Sequence, residues 1–110
     1  MMTSEKCSKK VIVIYCIEKR LNINRIENLK KCLMPFVEQS DIHLILDLSQ
    51  VCFMDCAMIG FLFTLNQQLR KRNSLLSLAH PNKFVVLLMD ALQIEKFIHI
   101  IKKKAFEKYG

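Results

Sequence analysis

The sequence predicts one α/β domain in which helices pack on a sheet that is at least partly parallel. Three observations carry that expectation. Apolar runs of strand length alternate with segments of helical periodicity, joined by short polar connections. The 110 residues fit one ordinary domain, and 52% hydrophobic with 25% charged residues is a globular composition rather than that of a disordered tail. No repeat, linker or low-complexity stretch divides the chain. A chain of this size buries about two-thirds of the surface its unfolded form exposes, so its five cysteines are not needed as staples.

Taken in order, residues 11–17, VIVIYCI, are rich in β-branched and aromatic types and predict a central strand covered on both faces. Asn24, with Glu27 three positions on, resembles a capping box, and Ile26, Leu29, Leu33 and Val37 share one helical face, so a helix is expected over 25–38. Pro35 removes a hydrogen bond inside that span, which predicts a bend or early stop near Met34. Residues 42–48, IHLILDL, form a second buried strand, and Ser49 and Gln50 mark its exit. Asp55 then caps a second helix over 56–72, because a carboxylate there accepts unpaired amide hydrogens at the positive end of the helix dipole. Asn73 and Ser74 supply a turn, and residues 75–79 a third strand. Pro81 opens a third helix through Phe84, Val85, Leu87, Leu88, Ala91 and Leu92. Residues 97–101 are a fourth strand, and 103–109 a last amphipathic turn or two.

The positive charge sits mainly at the ends. Of a net +7, residues 1–10 supply +2 and residues 101–110 supply +3, while the body holds ten basic against eight acidic groups. Arg70, Lys71 and Arg72 close the second helix, where cations oppose the negative end of the dipole. No aromatic residues interleave with Lys6, Lys9 and Lys10 or with Lys102, Lys103 and Lys104 as a base-stacking platform requires, so a specific nucleic-acid footprint is not expected; weak contact of Lys102, Lys103 and Lys104 with anionic lipid is the alternative use of that cluster. With only Gly60 and Gly110, the chain has no glycine-rich phosphate loop. The odd cysteine count, the irregular spacing of Cys7, Cys16, Cys32, Cys52 and Cys56 and the absence of a leader pattern in residues 1–10 predict a reducing cytoplasm. The longest apolar run, 51–65, is interrupted by Asp55 and falls short of the roughly 18–20 residues of a membrane crossing.

The most informative stretch is 44–62, LILDLSQVCFMDCAMIGFL: a buried strand, a short loop and a helix opening beneath a lone acid. It resembles the STAS domain, whose pattern is an apolar strand ending Asp-Leu-Ser and a turn Phe-Met-Asp-Ser-Ser-Gly-Leu-Gly into a helix. Asp47, Leu48 and Ser49 match the strand exit; Phe53, Met54, Asp55, Ile59 and Gly60 match the turn. By element order the likeness spans about 11–101, with Asn22 before the first helix and Pro81 before the third, leaving basic ends 1–10 and 102–110. It implies a single domain with a small mixed sheet of four to five strands, helices mainly on one side, and partner contacts at the start of the second helix. Whether the family's first strand lies within 1–10 is left open.

In antagonists of the kinase-regulated type the second serine of the motif is phosphorylated. Ala57 stands there, Cys56 replaces the first serine, Met58 a glycine, and Lys19 a glycine ahead of the first helix. Alanine has no hydroxyl, so the resemblance implies a member not switched by serine phosphorylation at that position. Its partner surface is expected at Asn22, Ser49, Asp55, Cys56, Ala57, Met58 and Phe61. Met58, Phe61, Leu62 and Leu65 also fit a core face, and Asp55 fits a simple cap whose loss costs about 1 kcal/mol. Cys56 lacks a paired base, which favours an inert thiol over a nucleophile. Cys52 and Cys56 with His43, His80 or His99 do not reproduce a zinc spacing, and no cofactor is expected. Neither a paired-acid constellation nor a nucleophile with its base can be assembled, so an enzyme is the least supported class.

Three readings follow. The first is a non-enzymatic interaction module similar to an anti-sigma factor antagonist, binding an anti-sigma factor or serine-kinase-like protein, for which a charge at Met58 should abolish capture while the fold survives. The second is a STAS-type accessory subunit bracing the ATPase of an ABC lipid transporter. The third, more remote, is a basic nucleic-acid binder with steep salt dependence.

Overall fold

The computed structural model describes residues 9–101. Strands β1 (Lys10–Tyr15), β3 (Ile42–Asp47), β5 (Leu75–Ala79) and β6 (His99–Ile101) form a sheet in the order β1-β3-β5-β6, every pair parallel. Parallel neighbours need crossover connections. These run through α1 (Ile26–Val37), α2 (Cys56–Lys71) and α3 (Lys83–Ala91). Two short strands, β2 (Arg20–Leu21) and β4 (Phe53–Met54), pair in parallel as a separate ladder. The single α/β domain expected from the sequence is the one observed, with four strands in the main sheet among the described residues. Residues 1–8, most of the 1–10 segment in which the family's first strand is an open question, and the last amphipathic turn or two expected over 103–109 lie outside them.

One face of the sheet carries the core. Leu44, Leu46, Leu76 and Leu78 meet Leu33 and Val37 of α1, Met58, Leu62, Leu65 and Leu69 of α2, and Val85 and Met89 of α3. Ile12, Ile14 and Ile100 extend this layer to both edges. The alternate residues point the other way, where Val11, Val13, Tyr15 and Leu75 are exposed and no described helix packs. This corrects the expectation for 11–17. Among the described residues β1 pairs on one side only, with β3, and the strand ends at Tyr15, leaving Ile17 exposed. An apolar run reads as doubly buried by composition, but the register puts one face of β1 outside the core.

The caps differ in detail from those expected. Asn24 does not cap α1. Asn22 Oδ1 accepts from the Asn24 N–H at 3.0 Å and caps a 3₁₀ turn, Ile23–Arg25, that leads into α1 without a side-chain cap. Pro35 does not stop α1 near Met34, because it sits in the last turn, where only one intrahelical bond is forfeited, and the Glu38 N–H still reaches Met34 O at 3.1 Å. Buried Leu33 and Val37 hold that turn against the core. The cap of α3 is Asn82, whose Oδ1 accepts from the Val85 N–H at 3.0 Å; Pro81 lies two residues before the helix rather than at its first position.

Candidate docking surface at the start of the second helix

The loop from β3 to α2 is held by hydrogen bonds and by Leu48, Val51 and Met54, which are buried in the core. At the strand exit Asp47 Oδ1 accepts from the Ser49 N–H at 2.9 Å, and the Leu48 N–H donates to Ala79 O of β5 at 2.8 Å. Lys19 O accepts from both Cys52 and Phe53 amides, at 2.7 and 3.1 Å, which delivers the chain into the β2–β4 ladder. Asp55 follows as the α2 cap, its Oδ1 accepting from the Met58 N–H at 2.9 Å. Its other oxygen, Oδ2, accepts from the Ile23 N–H at 3.0 Å. One carboxylate therefore ties the start of α2 to the turn before α1.

That second bond doubles the expected worth of Asp55. Each bond to a charged acceptor contributes about 1 kcal/mol or more, so Asp55→Ala is expected to lower stability by about 2 kcal/mol rather than the single cap's 1. Urea unfolding checks this. A loss no greater than that of Asn82→Ala, which removes one ordinary cap, would contradict it.

Around this cap the seven expected contact residues separate into three groups. Ser49, Cys56 and Ala57 are exposed, while Asn22, Asp55 and Phe61 are half-buried, with Asn22 and Asp55 already engaged in capping. Met58 is fully buried in the core cluster. It cannot meet a partner in the folded domain, and the expectation that a charge at Met58 spares the fold is withdrawn. The signal was present in the spacing of Met58, Leu62, Leu65 and Leu69, which places Met58 on the inward stripe of α2. In its stead Gly60 joins Cys56 and Ala57 on the outer face, and a Cβ added there would meet nothing within 4 Å. Ser49 also lines a cleft of about 490 Å³ with His80, Asp90 and Glu95 at the carboxyl ends of β3 and β5. The β2–β4 ladder escaped the sequence reading because two residues are too short to show a period.

The remaining reactive groups lie elsewhere. Burial, then the neighbouring Asp47 and Cys32, push the Cys16 thiol up to about 11, which keeps it protonated and inert. Among the described residues no three His, Cys, Asp or Glu side chains converge to hold a metal ion. On the sheet face opposite the three described helices, Ser77 Oγ lies 2.7 Å from His43 Nε2 and 2.9 Å from His99 Nδ1. Burial, with His99 and Lys9 nearby, holds His43 below its ordinary value of 6.5. The unfolded chain therefore takes up this proton first, so the stability from neutral His43 is present above about pH 6.5 and declines as pH falls through it. The melting temperature is expected to drop over that window, with the slope reduced in His43→Gln. An unchanged slope in the variant would contradict this assignment.

Comparison with known proteins gives a consistent result. The STAS domain family model matches residues 5–106. No curated protein matches the chain. An anti-sigma-factor antagonist (STAS) domain protein from Planctomyces limnophilus superposes with a TM-score of 0.73 at 14% identity, over 88% of this chain and 85% of that one. The Bacillus cell fate determinant SpoIIAA in its phosphorylated form gives 0.63 at 13% identity, over 93% of both chains. The murine Solute Carrier 26 family member A9 anion transporter gives 0.72 at 19% identity over 86% of this chain, which spans only 16% of the transporter. At such identities these structures establish the fold. No helix among the described residues is long and apolar enough to cross a membrane. With the family model covering nearly the whole chain and the strand-to-helix turn in place, the protein belongs to the STAS domain family.

Proposed function

We propose that the protein is a non-enzymatic interaction module, similar to an anti-sigma factor antagonist, that works in the cytoplasm by holding an anti-sigma factor or serine-kinase-like partner against the loop before α2 and the first turns of that helix. The observation that carries this reading is the outer face formed by Cys56, Ala57 and Gly60: small, uncharged, exposed, and with open space above Gly60. Small residues let another backbone approach closely, and the rigid cap at Asp55 fixes the surface before binding, which limits the ordering cost. Ala57 offers no hydroxyl to a kinase, so binding is not switched by phosphorylation at this position.

Affinity capture with Gly60→Arg tests the reading. Arginine is a better helix former than glycine, and the open space accommodates it, so the fold is expected to survive. The captured partner is expected to disappear. Recovery of the same partner by both proteins would contradict the reading. A second reading, an accessory domain bracing a transporter ATPase, draws support from the transporter among the structural neighbours. Neighbouring genes for an ABC permease and ATPase favour it, and a neighbouring gene for an ATP-binding kinase favours the first.

A further inference from the structure

Helix α3 is apolar nearly all round, yet only part of it is covered. Val85 and Met89 enter the core, whereas Phe84 and Leu87 are 72% and 61% exposed. A surface helix ordinarily turns polar residues outward, so an apolar outer stripe marks a contact surface. Between α3 and β4 runs a groove of about 210 Å³ lined by Cys52, Phe53, Met54, Phe84, Val85 and Leu88.

The rim of this groove is cationic. The Arg20 guanidinium lies over the Phe53 ring, 5.7 Å from its centroid. Lys19 is anchored beside it through the carbonyl that holds the Cys52 and Phe53 amides. Lys83 opens α3 one turn before Leu87, on the same side of the helix. Asp90, the one acid on α3, lines the separate cleft with His80 and Glu95.

The geometry points to a docking groove for an acidic amphipathic helix of the protein partner. One of its aliphatic side chains enters between Phe53 and Leu88, its apolar stripe covers Phe84 and Leu87, and its carboxylates face Lys19, Arg20 and Lys83. A second copy of this chain would bring the same cationic rim, with no acidic stripe on α3 to meet it, and is repelled. A lipid surface would meet the projecting Phe84 and Leu87 but would not enter the hollow between Phe53 and Leu88. The inference rests on the docking reading above and extends the partner's footprint from α2 across β4 to α3.

Titration of ¹⁵N-labelled protein with a synthetic helical peptide of leucine and glutamate tests it, beside a matched leucine–lysine peptide and phosphatidylglycerol vesicles. The acidic peptide is expected to shift the amide signals of Phe53, Phe84, Leu87 and Leu88, and to bind at least tenfold more weakly to Lys83→Glu and to Phe84→Ser. Equal binding of the lysine peptide, shifts confined to other residues, or the same shifts produced only by vesicles would overturn it. Capture with Gly60→Arg, run in parallel, separates the two ideas. Loss of the native partner without peptide at the groove overturns the groove and leaves the α2 surface standing. Peptide seated in the groove supports the groove even where capture by Gly60→Arg is undiminished, a result that overturns the α2 surface alone.

Discussion

Met58→Glu is expected to unfold the domain. The side chain is fully buried in the hydrophobic cluster that joins α2 to the sheet. Truncating a buried methionine costs about 2–5 kcal/mol. Replacing it with a carboxyl adds desolvation of a polar group with no partner, so a loss of about 5 kcal/mol or more is expected, comparable to the whole stability of a small domain. Circular dichroism and urea titration check this directly. A folded Met58→Glu with a cooperative transition near that of the wild type would place Met58 outside the core and reopen its role at the surface.

Ala57→Glu is expected to act in the opposite way, with fold intact and binding lost. Residue 57 lies in the first turn of α2 and is exposed, where a negative charge meets the positive end of the helix dipole and adds about 0.3–1 kcal/mol at most. A partner seated on that face would have to desolvate the new carboxylate beside the Asp55 carboxylate, with no cation supplied. Burying an unpaired charge at an interface costs about 2–5 kcal/mol, so affinity should fall by about 100-fold or more. The same substitution introduces the sign of charge that phosphorylation would have added at this position. Calorimetry with the captured partner, alongside a melting curve, distinguishes the outcomes: unchanged affinity contradicts the docking surface, and a lowered melting point means that the helix start does not tolerate the charge.

How much of this was legible in the sequence depended on how local each signal is. The cap at Asp55, the strand before it and the bounds of α2 follow from nearest neighbours along the chain, and the structure has them within a residue or so. The second bond of Asp55, to the Ile23 amide, joins residues 32 apart and leaves no trace in local pattern. Residues 11–17 read as covered on both faces because Val11, Val13 and Tyr15 are as apolar as Ile12 and Ile14; only the packing of the helices, which no local pattern carries, tells which face is covered. Met58 is a different case. It fits both the contact surface that the family resemblance implies and, by its helical phase with Leu62, Leu65 and Leu69, the core face, and the phase is the better guide. The same holds for Phe84 and Leu87, whose spacing reads as core until the fold shows that Val85 and Met89 already fill it.

The central claim is that the outer face of the first turns of α2 is a partner's seat. Amide hydrogen exchange on the protein, alone and in complex with its captured partner, tests this most directly. The account predicts slowed exchange in peptides spanning residues 53–61, with little change across β1. Protection confined to β1 and its exposed neighbours, with residues 53–61 exchanging as fast in the complex as alone, would contradict it.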